Sequence, residues 1–147
     1  MKTFSSKTNL LFLAISLCAT GFAISCKKDT VTQTSDGLSV SSISFTPCHG
    51  SYDKGYYNPD SVAVRCDGKT IFVTHFNLGV NCGWRDIDVR CRLSNDSVYI
   101  EELEVTPLQA NCFCETDNFF RINGLAPGTY TLVFKQSRPT ISQRVTL

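Results

Sequence analysis

Beyond residue 60, apolar and polar positions alternate along most of the chain with the two-residue period of half-buried strands. Val62-Ala63-Val64-Arg65-Cys66 and Lys69-Thr70-Ile71-Phe72-Val73 flank Asp67-Gly68, a pair suited to a two-residue hairpin turn because both positions need positive φ. That turn sets Val64 opposite Ile71 and Val62 opposite Val73, with Cys66 and His75 on the same face. Ile87, Val89, Cys91 and Leu93 then alternate with Asp88, Arg90 and Arg92. Ser94-Asn95-Asp96 turns the chain into the next strand, where apolar parity shifts from Val98/Ile100 to Leu103/Val105, and a bulge near Glu101-Glu102 is the expected cause. Phe119–Leu125 runs into Ala126-Pro127-Gly128-Thr129, which suits a type II turn. Tyr130, Leu132 and Phe134 alternate after it, and Ile141–Leu147 makes a weaker last strand. No window of this region has a helical period. About seven to eight short strands with such turns predict an all-β, antiparallel β-sandwich.

The first residues follow a different pattern. Met1–Asn9 carries Lys2 and Lys7 and no acid, Leu10–Ile24 is apolar apart from Ser16, Thr20 and Gly21, and small residues precede Cys26. These are the regions of an export leader, and the apolar run falls short of the roughly 20 residues needed to span a bilayer. Ala23-Ile24-Ser25-Cys26 resembles the lipobox of bacterial lipoproteins, which implies cleavage after Ser25 and an acyl group on the Cys26 thiol. Ser, Thr, Asp, Lys and Gln dominate Lys27–Ser42, a composition that buries too little surface to order itself. The expected organisation is a signal peptide over 1–25, a flexible tether over 26–42 and the sandwich over 43–147. The expected address is the bacterial cell envelope, lipid-anchored to the outer membrane. Lys27-Lys28-Asp29 resembles the acid-rich surface-export signal only in part, so the periplasmic and surface faces both stay open.

Composition sharpens this in two ways. The formal charge of +1 becomes −1 once Lys2 and Lys7 leave with the leader, which gives no basic face for nucleic acid. Of eight cysteines, Cys18 lies in the leader and Cys26 is assigned to lipid, leaving Cys48, Cys66, Cys82, Cys91, Cys112 and Cys114. An even set in a small exported domain reads as up to three disulfides. A ring closed directly between Cys112 and Cys114 is strained, so separate partners are expected, with Cys82 or Cys91 supplying one. The alternative is a soft donor set for zinc or Cu(I) from His75, Cys82, Cys112 and Cys114. In an oxidising compartment the disulfides are the simpler outcome, His75 then being a hydrogen-bonded core residue and His49 a loop residue. No cofactor is expected.

Two resemblances add to this. Gly124-Leu125-Ala126-Pro127-Gly128-Thr129-Tyr130-Thr131-Leu132 resembles the closing hairpin of prealbumin-like and Cna-B-type immunoglobulin-like sandwiches. His75-Phe76-Asn77 with Asn81-Cys82, Cys112-Phe113-Cys114 with Asp117, Phe120 and that hairpin resemble small lipoproteins of Bacteroidota, although here Gly83 follows Cys82 where that family often doubles the cysteine. The first resemblance implies an immunoglobulin-like or prealbumin-like sandwich, and the second carries no established chemistry.

The chain has no Gly-x-Ser-x-Gly elbow, no His-Glu-x-x-His and no phosphate-cradling glycine loop. Asp86/Asp88 and Glu102/Glu104 have a spacing compatible with glycosidase-type chemistry, but a solvated strand face is the expected reading. Tyr52, Tyr56 and Tyr57 in one loop and Trp84 in another offer aromatic faces beside polar groups, suited to a glycan or protein ligand. Thr30, Ser61 and Ser97 each follow an aspartate and precede valine, which resembles the O-glycosylation acceptor of Bacteroidota and is expected in tether, loop or turn. The sequence therefore predicts a membrane-anchored, non-enzymatic envelope accessory for binding or adhesion. A metal-binding lipoprotein is the alternative, and a small envelope hydrolase comes third.

Overall fold

The alternating segments form strands because each has one apolar face to bury and one polar face to present to water. A computed structural model describes residues 32–33, 37–51, 58–137 and 139–147, and among them there are ten strands and no helix. The strands are β1 (Thr32–Gln33), β2 (Ser39–Phe45), β3 (Gly50–Ser51), β4 (Ser61–Asp67) and β5 (Thr70–Asn81), followed by β6 (Asp86–Ser94), β7 (Ser97–Val105), β8 (Phe113–Asn123), β9 (Thr129–Phe134) and β10 (Ile141–Thr146). One sheet has the order β1-β2-β8-β5-β4, with β3 also paired to β8, and the other has the order β10-β9-β7-β6. They face each other as a disulfide-stapled β-sandwich, with contacts between β2 and β6 and between β10 and β4. Every pairing is antiparallel except β7 with β9, which is parallel.

The core lies between the sheets. Val40, Ile71, Val73, Phe120 and Ile122 come from the first, and Val89, Val98, Ile100, Leu132 and Phe134 from the second, none more than 2% exposed. Truncating a side chain such as Phe134 to alanine there costs about 3–5 kcal/mol.

Four local expectations change. The hairpin turns at Gly68-Lys69 rather than Asp67-Gly68, and only Gly68, with φ +58°, takes the left-handed conformation. Glycine leading the turn is enough. Asp67 therefore stays in the ladder opposite Thr70, and the pairs are Val64–Val73, Val62–His75 and Cys66–Ile71. Each partner moves by two residues, so the inward face keeps its members.

The expected bulge in β7 is absent: its pairing with β6 runs unbroken from Ser97–Ser94 to Val105–Asp86. The parity shift arises because Glu102 occupies the inward position that follows Val98 and Ile100, and it is only 4% exposed. A bulge does occur in β5, between His75 and Leu78, where Asn77 adopts φ +57°. Asparagine tolerates that conformation better than most residues, and the Asn77 amide donates to Asp117 Oδ1 at 3.0 Å.

Finally, the sandwich begins earlier than the polar composition of 26–42 suggests. Thr32–Gln33 pairs with β2, and Leu38 and Val40 are buried at 2% and 0% exposure. Two core residues suffice because the serines of β2 need not be buried: Ser39, Ser41, Ser42 and Ser44 stay half-buried while Val40 and Ile43 point inward.

Candidate functional site

His75 shares the inward parity of Ile71 and Val73 on β5, which carries it to complete burial at 0% exposure. Glu102 reaches it from the opposite sheet, with Oε2 2.5 Å from His75 Nδ1. The other Glu102 oxygen, Oε1, accepts from Asn118 Nδ2 at 2.7 Å, and Asn118 pairs across the β5–β8 ladder with His75. On the far side of the ring, Nε2 lies 3.4 Å from Asp60 Oδ2 and 3.4 Å from Ser137 Oγ. The Phe134 ring meets the imidazole edge to face at 5.6 Å.

A lone carboxylate at this depth would be costly, and so would a lone cation. Together they fit. Burial works against a charge on His75, but the hydrogen bonds and charges of Glu102 and Asp60 outweigh it and hold its pKa above the ordinary 6.5. The ring has a carboxylate at each nitrogen, an arrangement that favours its charged form. Burial and the Glu102 charge also push the nearby Cys91 thiol up to about 12, which makes it inert. Asn118 Oδ1 is buried without a hydrogen-bond partner among the described residues.

This network floors an open cleft of about 800 Å³. The β5 bulge aims Leu78 and Val80 inward again beyond His75, and they form the apolar wall with Ile87. Asp60, Glu102 and Glu104 bring carboxylates to the lining, and Phe113, 54% exposed, stands at the rim. The cleft exists because β9 leaves β7 early. Their pairing ends at Ile100, whose carbonyl accepts from the Lys135 amide at 3.1 Å, and Gln136 Oε1 then takes the Glu102 amide at 3.1 Å. Beyond that point no strand among the described residues lies on the edge of β7 away from β6. Glu104 Oε2 accepts the Asn81 amide at 2.7 Å, which ties β7 to the end of β5. The Lys135 ammonium turns away to Glu101, 2.5 Å distant, and this contact chiefly holds the Glu101 carboxyl below its usual range.

Of the candidate catalytic, binding and metal-ligating residues singled out in sequence, only His75 and the Glu102/Glu104 pair belong to this site; Asn77 and Phe113, quoted for the resemblance, also line the cleft. Glu102 and Glu104 line the cleft rather than a solvated face, whereas Asp88 lies on the outside with Arg90 Nε at 2.9 Å. The cysteines form two bridges, Cys48–Cys114 and Cys82–Cys112, so Cys112 and Cys114 do have separate partners. Cys66 and Cys91 remain thiols instead of making a third bridge. They sit on β4 and β6, edge strands of different sheets. The soft metal set of His75, Cys82, Cys112 and Cys114 is not assembled. Its three sulfurs are spent in disulfides, its imidazole faces carboxylates, and no group of metal-ligating side chains occurs among the described residues.

Trp84 is half-buried rather than a free aromatic face, stacked edge-on to Phe45 at 4.6 Å with its Nε1–H donating to Cys48 Sγ at 3.3 Å. His49 is a loop residue, 3.2 Å from Asp117 Oδ1. Ser61 and Ser97 each begin a strand, β4 and β7, rather than lying in a loop, and only Ser61 is exposed. Cys26, Thr30, Tyr52, Tyr56 and Tyr57 lie outside the described residues.

Sequence reasoning missed Asp60, Asn118 and Ser137. The usable signal was polar residues at apolar positions, Glu102 after Val98 and Ile100, and Asn118 before Phe120 and Ile122. Comparison with family models, curated proteins and solved structures found no match to this chain.

Proposed function

We propose that the chain is a non-enzymatic binding module of the bacterial cell envelope, lipid-anchored through Cys26, which takes its ligand in the cleft between the two sheets. The observation that carries the binding role is the contrast between the open cleft and the sealed groups beneath it. A general base must reach the proton it accepts. His75 is 0% exposed with a carboxylate at each nitrogen, and Ser137 is 3% exposed, so both serve to brace the cleft floor. Leu78, Val80 and Ile87, with a few convergent polar groups, give the cleft the mixed lining of a ligand site.

Two experiments test this reading. Palmitate labelling in a bacterial host is expected to mark the wild type and not Cys26→Ser; equal labelling of both overturns the anchor. Glycan arrays and immobilised envelope fractions are expected to retain the wild type and to lose Phe113→Ala, a change at the cleft rim. Equal retention of both removes the cleft as the binding site. Ser137 Oγ, 3.4 Å from His75 Nε2, favours a hydrolase as the second reading. Labelling of Ser137 by a fluorophosphonate would establish it at the expense of the first.

A further inference from the structure

The open flank of β7 has a second property besides its acids. Glu102 donates its amide to Gln136 on the side away from β6, whereas Val105 accepts the Arg85 amide on the side of β6. Main-chain groups of a strand alternate between its two edges. The amide and carbonyl of Glu104 therefore point from the free edge of β7, next to the cleft, and no strand among the described residues takes them. Such an edge is a template for another extended chain.

The side chains along this edge set what that chain must carry. Glu102 and Glu104 face the cleft two residues apart, but the Glu102 carboxylate is 1% exposed and held by His75 and Asn118, which leaves Glu104 as the carboxylate presented along this edge. Leu103 and Val105 point to the opposite face, where Val105 is 48% exposed and Leu108, in the following loop, is 73% exposed. Asp60 and Glu104 bring carboxylates to the cleft that Lys135 does not meet, because its ammonium is engaged with Glu101. Among the described residues no cation pairs with Glu104.

We infer that the ligand of this cleft is an extended peptide segment that adds as a strand to the free edge of β7 at Glu104, with a basic side chain facing the Glu104 carboxylate and apolar side chains at the alternate positions. This rests on the binding role argued above and specifies its partner. Main-chain hydrogen bonds to Glu104 supply the docking, and the alternation of charge selects the sequence. A second copy of this chain would bring mainly its mixed-charge edges, Asp88 and Arg90 on β6 or Arg65 and Asp67 on β4, which lack that alternation.

The test uses the purified protein and three fluorescein-labelled octapeptides: alternating Lys and Val, alternating Glu and Val, and the Lys-Val peptide with every second amide N-methylated. Anisotropy is expected to show saturable binding of the first alone. Glu104→Gln, which removes the charge but keeps an acceptor oxygen for the Asn81 amide, is expected to weaken it about tenfold. Amide exchange is expected to slow at Glu104 when the Lys-Val peptide is bound. Equal binding of the Glu-Val or N-methylated peptide overturns the inference, as does unaltered exchange at Glu104. If no peptide binds while Phe113→Ala still abolishes retention on the arrays or envelope fractions, the basic strand is refuted and the binding module stands. If both experiments fail, both readings fall.

Discussion

Replacing His75 by alanine leaves Glu102, whose side chain is 1% exposed, with a buried charge and only Asn118 to hold it. Removing one member of a buried pair costs about 3–5 kcal/mol, chiefly through the charge left behind. That is a large share of the roughly 5–15 kcal/mol by which a domain of this size is stable. The melting temperature should fall by about 10–20 °C. The pH dependence has a definite sign. His75 has its folded pKa raised above 6.5, so its contribution is fully present below pH 6.5 and is lost as pH rises through the raised folded value. Urea unfolding with the disulfides intact, followed by circular dichroism at pH 6 and at pH 8 to 9, measures both effects. Wild type should lose stability between those conditions, and His75→Ala should lose less. The double variant His75→Leu/Glu102→Leu should be more stable than His75→Ala, because it removes the charge along with its partner. A cost below about 1 kcal/mol for His75→Ala at pH 6 would refute the ion-pair account.

Other outcomes follow from the same coordinates. Gly124 has φ +98°, and a Cβ there would collide with the Gly37 carbonyl, so Gly124→Ala should cost about 1–3 kcal/mol in thermal melts, and an unchanged melt would contradict the close approach. Native-state alkylation followed by mass spectrometry should modify half-buried Cys66 and spare Cys91, which is 3% exposed with its pKa near 12; labelling of Cys91 first would reverse the assignment. The Cys48–Cys114 bridge spans 66 residues and Cys82–Cys112 spans 30, so their removal as alanine pairs should cost about 4.4 and about 3.6 kcal/mol by loop closure. Urea unfolding measures that loss, and stability unchanged in either double variant would count against that bridge.

The strands were legible in the sequence because burial follows parity, and parity survives small errors of register. The hairpin shows this: the turn lies one residue later than Asp67-Gly68, yet Val62, Val64, Cys66, Ile71, Val73 and His75 still share a face. Parity fails where a polar residue takes an apolar place. Glu102 read as a break in the pattern and was explained by a bulge in β7, when the irregular strand is β5, at Asn77. Nothing local announces Glu102 as a core residue, because its partners are 27 and 16 residues away in sequence and belong to the other sheet. Composition failed for a similar reason at β2, where Leu38, Val40 and Ile43 are enough to bury a strand whose remaining residues are serines and one phenylalanine. Cys112 and Cys114 could be separated by strain alone, but choosing Cys48 and Cys82 over Cys66 and Cys91 needed the strand order.

The central place of β8 fixes an order of events in folding. The hairpins β4–β5, β6–β7 and β9–β10 join neighbours in sequence, so each closes only a short loop. The first sheet has no middle until β8 inserts between β2 and β5, and the Asn123–Ser41 hydrogen bond closes across 82 residues. A pairing of such range is slow, because the chain must be ordered before the contact rewards it. A chain made from its N-terminus thus holds β2 without its β8 partner until most of the domain exists. Oxidation is expected to follow that order: Cys82–Cys112 can close while β2 is still waiting, and Cys48–Cys114, across the longer loop, is expected after it. Thiol-trapped refolding intermediates should carry the first bridge without the second.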